Sequence, residues 1–360
     1  MQNSNIYLHE IATAVSEPFS QDFALDFWLK YQGDTEVKRN FIKRVYAGSA
    51  INKRHSVIKD WQNEKIKPNL KTKERNDLFL KESNRLSLEA TRDLLKKLGP
   101  FNKERITHLI TVSCTGFGAP GFDFNIIKEV RLSRSIERYH LGFMGCYAAL
   151  SALKMARNIC QANSVAKVLI VNVELCSVHF QKSFDPEKVV ANAIFSDGVS
   201  AALVSADKSD SKGKKILLNS FNSTYADNSE DEMAWKIGDY GFDMKLSVYV
   251  PDIIKKNILS IFEQLFENLK ITKPDIDIWA IHPGGKTVLE KTEEAMGISK
   301  DQLAISYDVL REYGNMSSTT IMFVLEKILG QKGEGKIFSA AFGPGLTIES
   351  GYFELIGDSR

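Results

Sequence analysis

Gly145-Cys146-Tyr147-Ala-Ala-Leu-Ser-Ala-Leu-Lys-Met-Ala156 is a glycine and a cysteine followed by a helical run with apolar residues on nearly every face. A helix that is apolar all round belongs inside a core. Its counterpart lies 169 residues further on, where Gly314-Asn315 leads into a second helical run carrying Ile321, Met322, Val324, Leu325 and Ile328.

The same offset superimposes the surrounding segments without a gap. His108-Leu-Ile-Thr-Val-Ser113 falls on Asp277-Ile-Trp-Ala-Ile-His282, and Lys167-Val-Leu-Ile-Val-Asn-Val173 falls on Lys336-Ile-Phe-Ser-Ala-Ala-Phe342. These short apolar runs read as strands. Each copy is therefore expected to run strand, loop, helix, strand, loop, buried helix, strand. Such alternation implies parallel sheets covered by helices. Segments 199–205, 215–221 and 346–355 are β-rich and complete the sheets. Two buried helices between two sheets predict an α/β fold of two pseudo-duplicated halves, in a five-layer αβαβα arrangement. Polar residues 207–214 mark the boundary, giving halves 1–206 and 207–360. The charged segment 63–76, with Pro68, reads as a surface excursion.

The bulk properties agree with this. A chain of 360 residues has room for two core-forming units, at ~150 residues per domain. Apolar and charged fractions of 43% and 26% are those of a soluble globular protein. A net charge of +2 gives no reason to expect nucleic acid or a membrane surface as partner. Residues 1–10 lack a signal pattern and no long apolar run exists, so neither export nor a membrane span is expected. Cys114, Cys146, Cys160 and Cys176 show no C-x-x-C spacing. Free thiols in a reducing cytoplasm are expected, without a metal.

Three side chains carry chemistry. Cys146 sits at a helix start, where unpaired N–H groups and partial positive charge favour a thiolate. Alone, it reads equally well as a small buried apolar residue. His282 ends a strand and enters Pro283-Gly284-Gly285. An imidazole at a strand's carboxyl end is an acid–base or ligand candidate, or simply a turn residue. Asn315 alone would be a helix cap; the offset that sets it opposite Cys146 singles it out. Together a thiol, an imidazole and a carboxamide can hold an acyl group covalently and stabilise an enolate.

These motifs closely resemble the type III polyketide synthases, the chalcone-synthase superfamily. The resemblance spans roughly residues 40 to 352. It includes Tyr313-Gly-Asn-Met-Ser-Ser318, Phe342-Gly-Pro-Gly-Leu-Thr-Ile-Glu349, Lys53-Arg-His-Ser56 and Ala193-Ile-Phe-Ser-Asp-Gly198. It implies a thiolase-like fold, a homodimer, acyl-CoA and malonyl-CoA as substrates, and no further cofactor. Cys146 would accept the starter acyl group, with His282 helping to hold it as thiolate. His282 and Asn315 would bind the thioester oxygen, then the enolate left when malonyl-CoA loses CO2.

Phe195 matches the family's gatekeeper phenylalanine, and Met244 replaces a second one. Thr115, Ala119 and Cys176 match positions that, in bacterial alkylpyrone-type members, accompany long fatty starters. They imply walls of an alkyl tunnel, although each is compatible with plain packing. In plant members the position of Ala119 is donated across the dimer. His179 stands where plant members carry threonine and would fill space. Glu174 and Ser317 match a cyclisation network in which Cys114 replaces a threonine. A thiol is a weak hydrogen-bonding group, so α-pyrones are as expected as alkylresorcinols. Lys43, Arg44 and Lys53 lie in a stretch resembling the CoA-binding region, but any one of them reads more readily as part of a solvated face. Two other readings stand beside this one. An initiating ketoacyl carrier-protein synthase would normally continue its histidine as His-Gln-Ala-Asn, which is absent here. A non-catalytic acyl-binding protein of the same fold would not need all three side chains.

Overall fold

The computed structural model describes residues 4–59, 70–182, 184–227, 229, 233–246 and 250–358. Of the charged excursion, residues 63–69 lie outside this set, and Thr72 already opens a long helix.

The first half contains β1 (Tyr7–Ala14), β2 (Pro18–Ser20), α1 (Gln21–Gln32), α2 (Glu36–Ala47), β3 (Lys53–His55) and α3 (Thr72–Leu98). It continues through β4 (His108–Ser113), α4 (Phe122–Val130), β5 (Glu137–Gly142), α5 (Ala148–Ala162), β6 (Lys167–Leu175), α6 (Pro186–Ile194) and β7 (Asp197–Ser205). The second half holds β8 (Lys215–Tyr225), the hairpin β9 (Met233–Gly238) and β10 (Gly241–Leu246), and α7 (Val250–Leu269). After these come β11 (Ile278–Ile281), α8 (Lys286–Met296), α9 (Ala304–Tyr313), α10 (Thr320–Leu329), β12 (Gly335–Gly343) and β13 (Thr347–Ile356).

Strand order reveals the duplication independently of the sequence offset. The order is β11-β12-β13-β8-β1-β7-β6-β4-β5. In the first half β1 pairs antiparallel with β7, β7 antiparallel with β6, and β6 parallel with β4. In the second, β8 pairs antiparallel with β13, β13 antiparallel with β12, and β12 parallel with β11. Order and direction repeat. The half-sheets join where β1 meets β8, at Tyr7↔Leu217 and Leu8↔Ile216.

Helices give the layers. α3 covers β1, β7 and β6, while α5 lies on β4, β6 and β7 and reaches β13. α10 packs on β1 and β11, and α7 contacts β8 and α8. Thus α5 and α10 form the central layer, where Ala149, Leu150, Leu153, Ile321, Val324 and Leu325 share one core. β4, β6 and β7 are buried along their whole length, as strands covered on both faces should be.

One expectation is corrected. The offset places a strand at 306–311, opposite β5, but the chain forms α9 there. Leu303, Ser306, Tyr307 and Leu310 are buried, and that spacing is helical. β5 is instead an exposed edge strand without an equivalent among the described residues.

Candidate active site

Two glycine turns deliver the key residues. Gly145 has φ +84° and Gly314 has φ +70°, the left-handed region that glycine occupies without strain. A Cβ on Gly145 would lie 2.2 Å from Pro344 Cδ, and one on Gly314 would lie 2.9 Å from both Arg54 Cγ and the Ile194 carbonyl. The next residues, Cys146 and Asn315, therefore enter one space ahead of α5 and α10. A cavity of about 290 Å³ is lined by Cys146, His282 and Asn315, with Phe195, Met244 and Thr115 among its walls.

His282 is only 1% exposed, and neither ring nitrogen has a hydrogen-bond partner among the described residues. Burial lowers its pKa to about 3, so the imidazole is neutral at pH 7. Buried polar atoms without partners are rare in folded proteins and point to a ligand or a catalytic role. Asn315 is 2% exposed. Its Oδ1 accepts the Ser317 N–H (2.8 Å) and its Nδ2 donates to the Gly284 carbonyl (2.9 Å). These two bonds fix the amide's orientation and leave one N–H for a ligand. Ser317 itself takes φ +50°, a strained value for a residue with a side chain.

Cys146 is 9% exposed, and its thiol donates to Ser317 Oγ at 3.6 Å. Burial pushes the thiol up to about 12. This departs from the expected thiolate. α5 begins only at Ala148, and desolvation outweighs what the helix start supplies. At pH 7 thiol and imidazole are therefore both neutral.

Glu174, on β6, is fully buried beside these groups. It accepts the Cys114 N–H (3.1 Å), the Cys114 thiol (3.4 Å), the Thr115 hydroxyl (3.0 Å) and the Ser318 hydroxyl. Burial raises its pKa while these donors lower it. Ser317 Oγ lies 3.2 Å from Cys114 Sγ. A polar chain therefore runs from Cys146 through Ser317 and Cys114 to Glu174, with the thiol included in it. Cys114 and Cys176 also line the cavity.

Other expected residues are placed elsewhere. His179 stacks on Phe242 at 4.0 Å; its Nε2 donates to the Thr115 carbonyl (2.7 Å) and its Nδ1 accepts the Phe242 N–H (3.0 Å). It fastens β10 to the Thr115 segment and lines a smaller adjacent pocket with Cys176, Phe195 and Trp235. Ala119 is exposed and lines a separate surface groove with Phe117, Phe124 and Tyr139. Lys43 and Arg44 are exposed on α2, and Lys53 pairs with Glu312 at 3.0 Å; none of the three lines the cavity. The lysine that does is Lys286, in the first turn of α8.

Sequence reasoning missed Met233 and Trp235 in the cavity wall. Trp235 Nε1 donates to the Cys114 carbonyl at 2.6 Å. The sequence signals only the strand that carries them: Met233, Trp235 and Ile237 alternate with less apolar residues ahead of a Gly238-Asp-Tyr-Gly241 turn. Among the described residues, no cluster of three or more His, Cys, Asp or Glu could hold a metal. No helix among them is long and apolar enough to cross a membrane.

Comparison with known proteins identifies the family. Residues 10–208 match the model for chalcone and stilbene synthases, N-terminal domain, and residues 218–355 match the C-terminal domain. The alpha-pyrone synthesis polyketide synthase-like Pks18 of Mycobacterium tuberculosis is 35% identical over 329 residues, covering 89% of this chain and 83% of that protein. The crystal structure of PKS-I from the brown alga Ectocarpus siliculosus aligns with TM-score 0.91 and 29% identity, over 99% of this chain and 100% of that one. The C-terminal type III polyketide synthase domain of Steely1, from Dictyostelium, gives the same score and identity over 97% and 99%. The chain belongs to the chalcone and stilbene synthase family and is a type III polyketide synthase.

Proposed function

We propose that Cys146 carries the growing acyl chain and that His282 and Asn315 bind the oxygen on which negative charge develops. The substrates are a medium- or long-chain fatty acyl-CoA and malonyl-CoA, and the product is an alkyl-α-pyrone or alkylresorcinol. The observation that carries this reading is the pair of unpartnered His282 ring nitrogens, sharing one cavity with Cys146 and the free Asn315 N–H.

The Cys146 sulfur attacks the starter carbonyl while its proton passes to His282. The bond to the CoA sulfur breaks, and CoA leaves with that proton. Malonyl-CoA then loses CO2, and the electron pair of the broken C–C bond becomes an enolate. The N–H groups of His282 and Asn315 hold the enolate oxygen, where prepositioned donors have their largest effect. Phe195 forms an apolar wall that strips water from the departing carboxylate. The enolate carbon attacks the Cys146 thioester, and the sulfur is released to begin again.

A fatty starter is supported by the cavity's largely apolar wall, by Thr115 and Cys176 within it, and by the pocket behind Cys176 and Trp235. The α-pyrone outcome is supported by the likeness to the mycobacterial alpha-pyrone synthesis polyketide synthase-like protein. Lys43 and Arg44, on the helix whose Val45 lines the cavity, and Lys286, which lines it from α8, are suited to the phosphates of CoA. A homodimer is supported by the edge strand β5 and the exposed Phe117, Phe124, Tyr139 and Phe143 around it. Ala119 lies on that face. In this reading the halves divide at 206/207. The cysteines, all four buried and unbridged, suit a cytoplasmic setting. The chemistry asks for no cofactor beyond the CoA thioesters.

Acyl-CoAs of graded length, incubated with malonyl-CoA and followed by mass spectrometry, test this. Alkylpyrones or alkylresorcinols strongest with the longer chains are expected. Preference for aromatic or very short starters, or product only in the presence of a carrier protein, would overturn it.

A further inference from the structure

The wall that presents Phe195 and Asn315 is held by a buried cation with no part in the chemistry. Arg54, on β3, is fully buried. Its Nε donates to Gln21 Oε1 (2.9 Å), and its Nη1 donates to the carbonyls of Asn192 (2.6 Å) and Phe195 (2.8 Å). These carbonyls belong to the end of α6, where a helix leaves acceptors unpaired and partial negative charge exposed.

The acceptors of that end are all met. The Ala191 carbonyl takes the Phe195 N–H (3.0 Å), and that of Asn192 also takes the Tyr46 hydroxyl (3.2 Å). The Ala193 carbonyl takes Gln21 Nε2 (2.8 Å), and that of Ile194 takes the Asn315 N–H (2.9 Å). The Asn315 backbone is thus one cap of α6, and Arg54 holds carbonyls on both sides of it. Arg54 also packs under the Gly314 turn, where an added Cβ would meet its Cγ at 2.9 Å. Phe19, Tyr46 and Phe180 surround the guanidinium at 5.0 to 5.9 Å. The nearby Asp197 carboxylate accepts from Val57 and Ser177.

The geometry points to Arg54 as a positioning residue for the condensation: by gripping the Phe195 carbonyl and supporting the Gly314 turn, it sets the gatekeeper ring against the Asn315 amide. This rests on the roles proposed above for Phe195 and Asn315. Loss of that register separates the two halves of the reaction. Malonyl-CoA still loses CO2, but the enolate takes a proton and leaves as acetyl-CoA before it can attack the Cys146 thioester.

The test compares Arg54→Met, Arg54→Lys and Tyr46→Phe in the full chain, measuring polyketide and acetyl-CoA from the same reaction. Arg54→Met is expected to lower kcat for polyketide by about tenfold or more, with KM for the starter little changed. Acetyl-CoA per polyketide should rise several-fold, and Arg54→Lys should recover part of the loss. Tyr46→Phe removes a bond to the same helix end but keeps the ring beside the Arg54 guanidinium, with the Arg54 bonds to Asn192 and Phe195 intact, and should leave the ratio as in the wild type. Gln21→Met, which frees Arg54 Nε, should shift the ratio in the same direction and decides the matter if Arg54→Met does not fold. An unchanged ratio in the folded Arg54 and Gln21 variants, or an equal change in Tyr46→Phe, overturns the inference. Absence of polyketide from the wild type would instead overturn the proposed function.

Discussion

Position for position, the two halves of the site share a backbone and differ in chemistry. Cys146 and Asn315 each follow a left-handed glycine ahead of a central helix, and Ser113 and His282 occupy equivalent places at the ends of β4 and β11. The first half's strand end is closed on itself: Ser113 Oγ accepts the Thr115 N–H (3.2 Å) and lies 3.3 Å from the Thr115 hydroxyl. The second half's strand end is open, with both His282 nitrogens unpartnered among the described residues. A duplicated scaffold aims two helix starts at one point. In the proposed mechanism, divergence of the side chains then makes one a nucleophile and the other a donor for the charge that the attack creates.

Breaking the nucleophilic half should have the largest effect. Cys146→Ala is expected to lower polyketide formation by about 10⁴-fold or more, read from product yield by mass spectrometry. On the other half, Asn315→Ala or His282→Gln should each lower kcat by about 10²- to 10³-fold, in steady-state assays, while Cys146 remains open to alkylation. The two turns offer a sharper contrast. Gly145→Ala should cost more stability than Gly314→Ala, because its new Cβ meets the Pro344 ring at 2.2 Å against 2.9 Å for the closest contacts at Gly314. Denaturant unfolding should show a loss of about 1–3 kcal/mol for Gly314→Ala and more for Gly145→Ala.

The buried histidines predict a pH response common to both halves. His282 and His179 fall to about 3 and His9 to about 4, from an ordinary 6.5, each chiefly through burial. Below about pH 6.5 the unfolded chain takes up protons that the folded chain refuses, so stability should fall as pH drops. Tm should be nearly flat above pH 7 and decline steadily between pH 6.5 and 4.5; a flat profile through that window would contradict the buried, neutral state. The smallest effect is expected at Cys114, where threonine would replace a thiol by a stronger hydrogen-bonding group. A difference of about 1 kcal/mol should change the ratio of lactone to aldol products several-fold, with kcat nearly unchanged.

Much of this was legible because period and offset agree. The apolar runs at 108–113, 167–173, 277–282 and 336–342 lie within or overlap β4, β6, β11 and β12, and the helical runs after Cys146 and Asn315 form the central layer. The same offset brought out Asn315, which alone would have been a cap. It misled at α9, where the copies had diverged and the local helical spacing of Leu303, Tyr307 and Leu310 decided the structure. Trp235 and Met233 were illegible as site residues because a strand pattern tells which residues alternate, not which cavity a hairpin closes. The thiol's environment was illegible for a similar reason. Helix position is read from local sequence, whereas the burial that raises Cys146 is set by both halves together.

In the proposed mechanism, groups remote in sequence act on one thioester bound at one sulfur. Three cysteines, Cys114, Cys146 and Cys176, line the same cavity, so the choice of sulfur is made among chemical equals. Peptide mapping by mass spectrometry after incubation with a fatty acyl-CoA should find a single acyl group, on Cys146, absent when the protein is first treated with iodoacetamide. Acylation of Cys114 or Cys176 instead, or of no cysteine while polyketide is still formed, would rule out Cys146 as the acyl carrier.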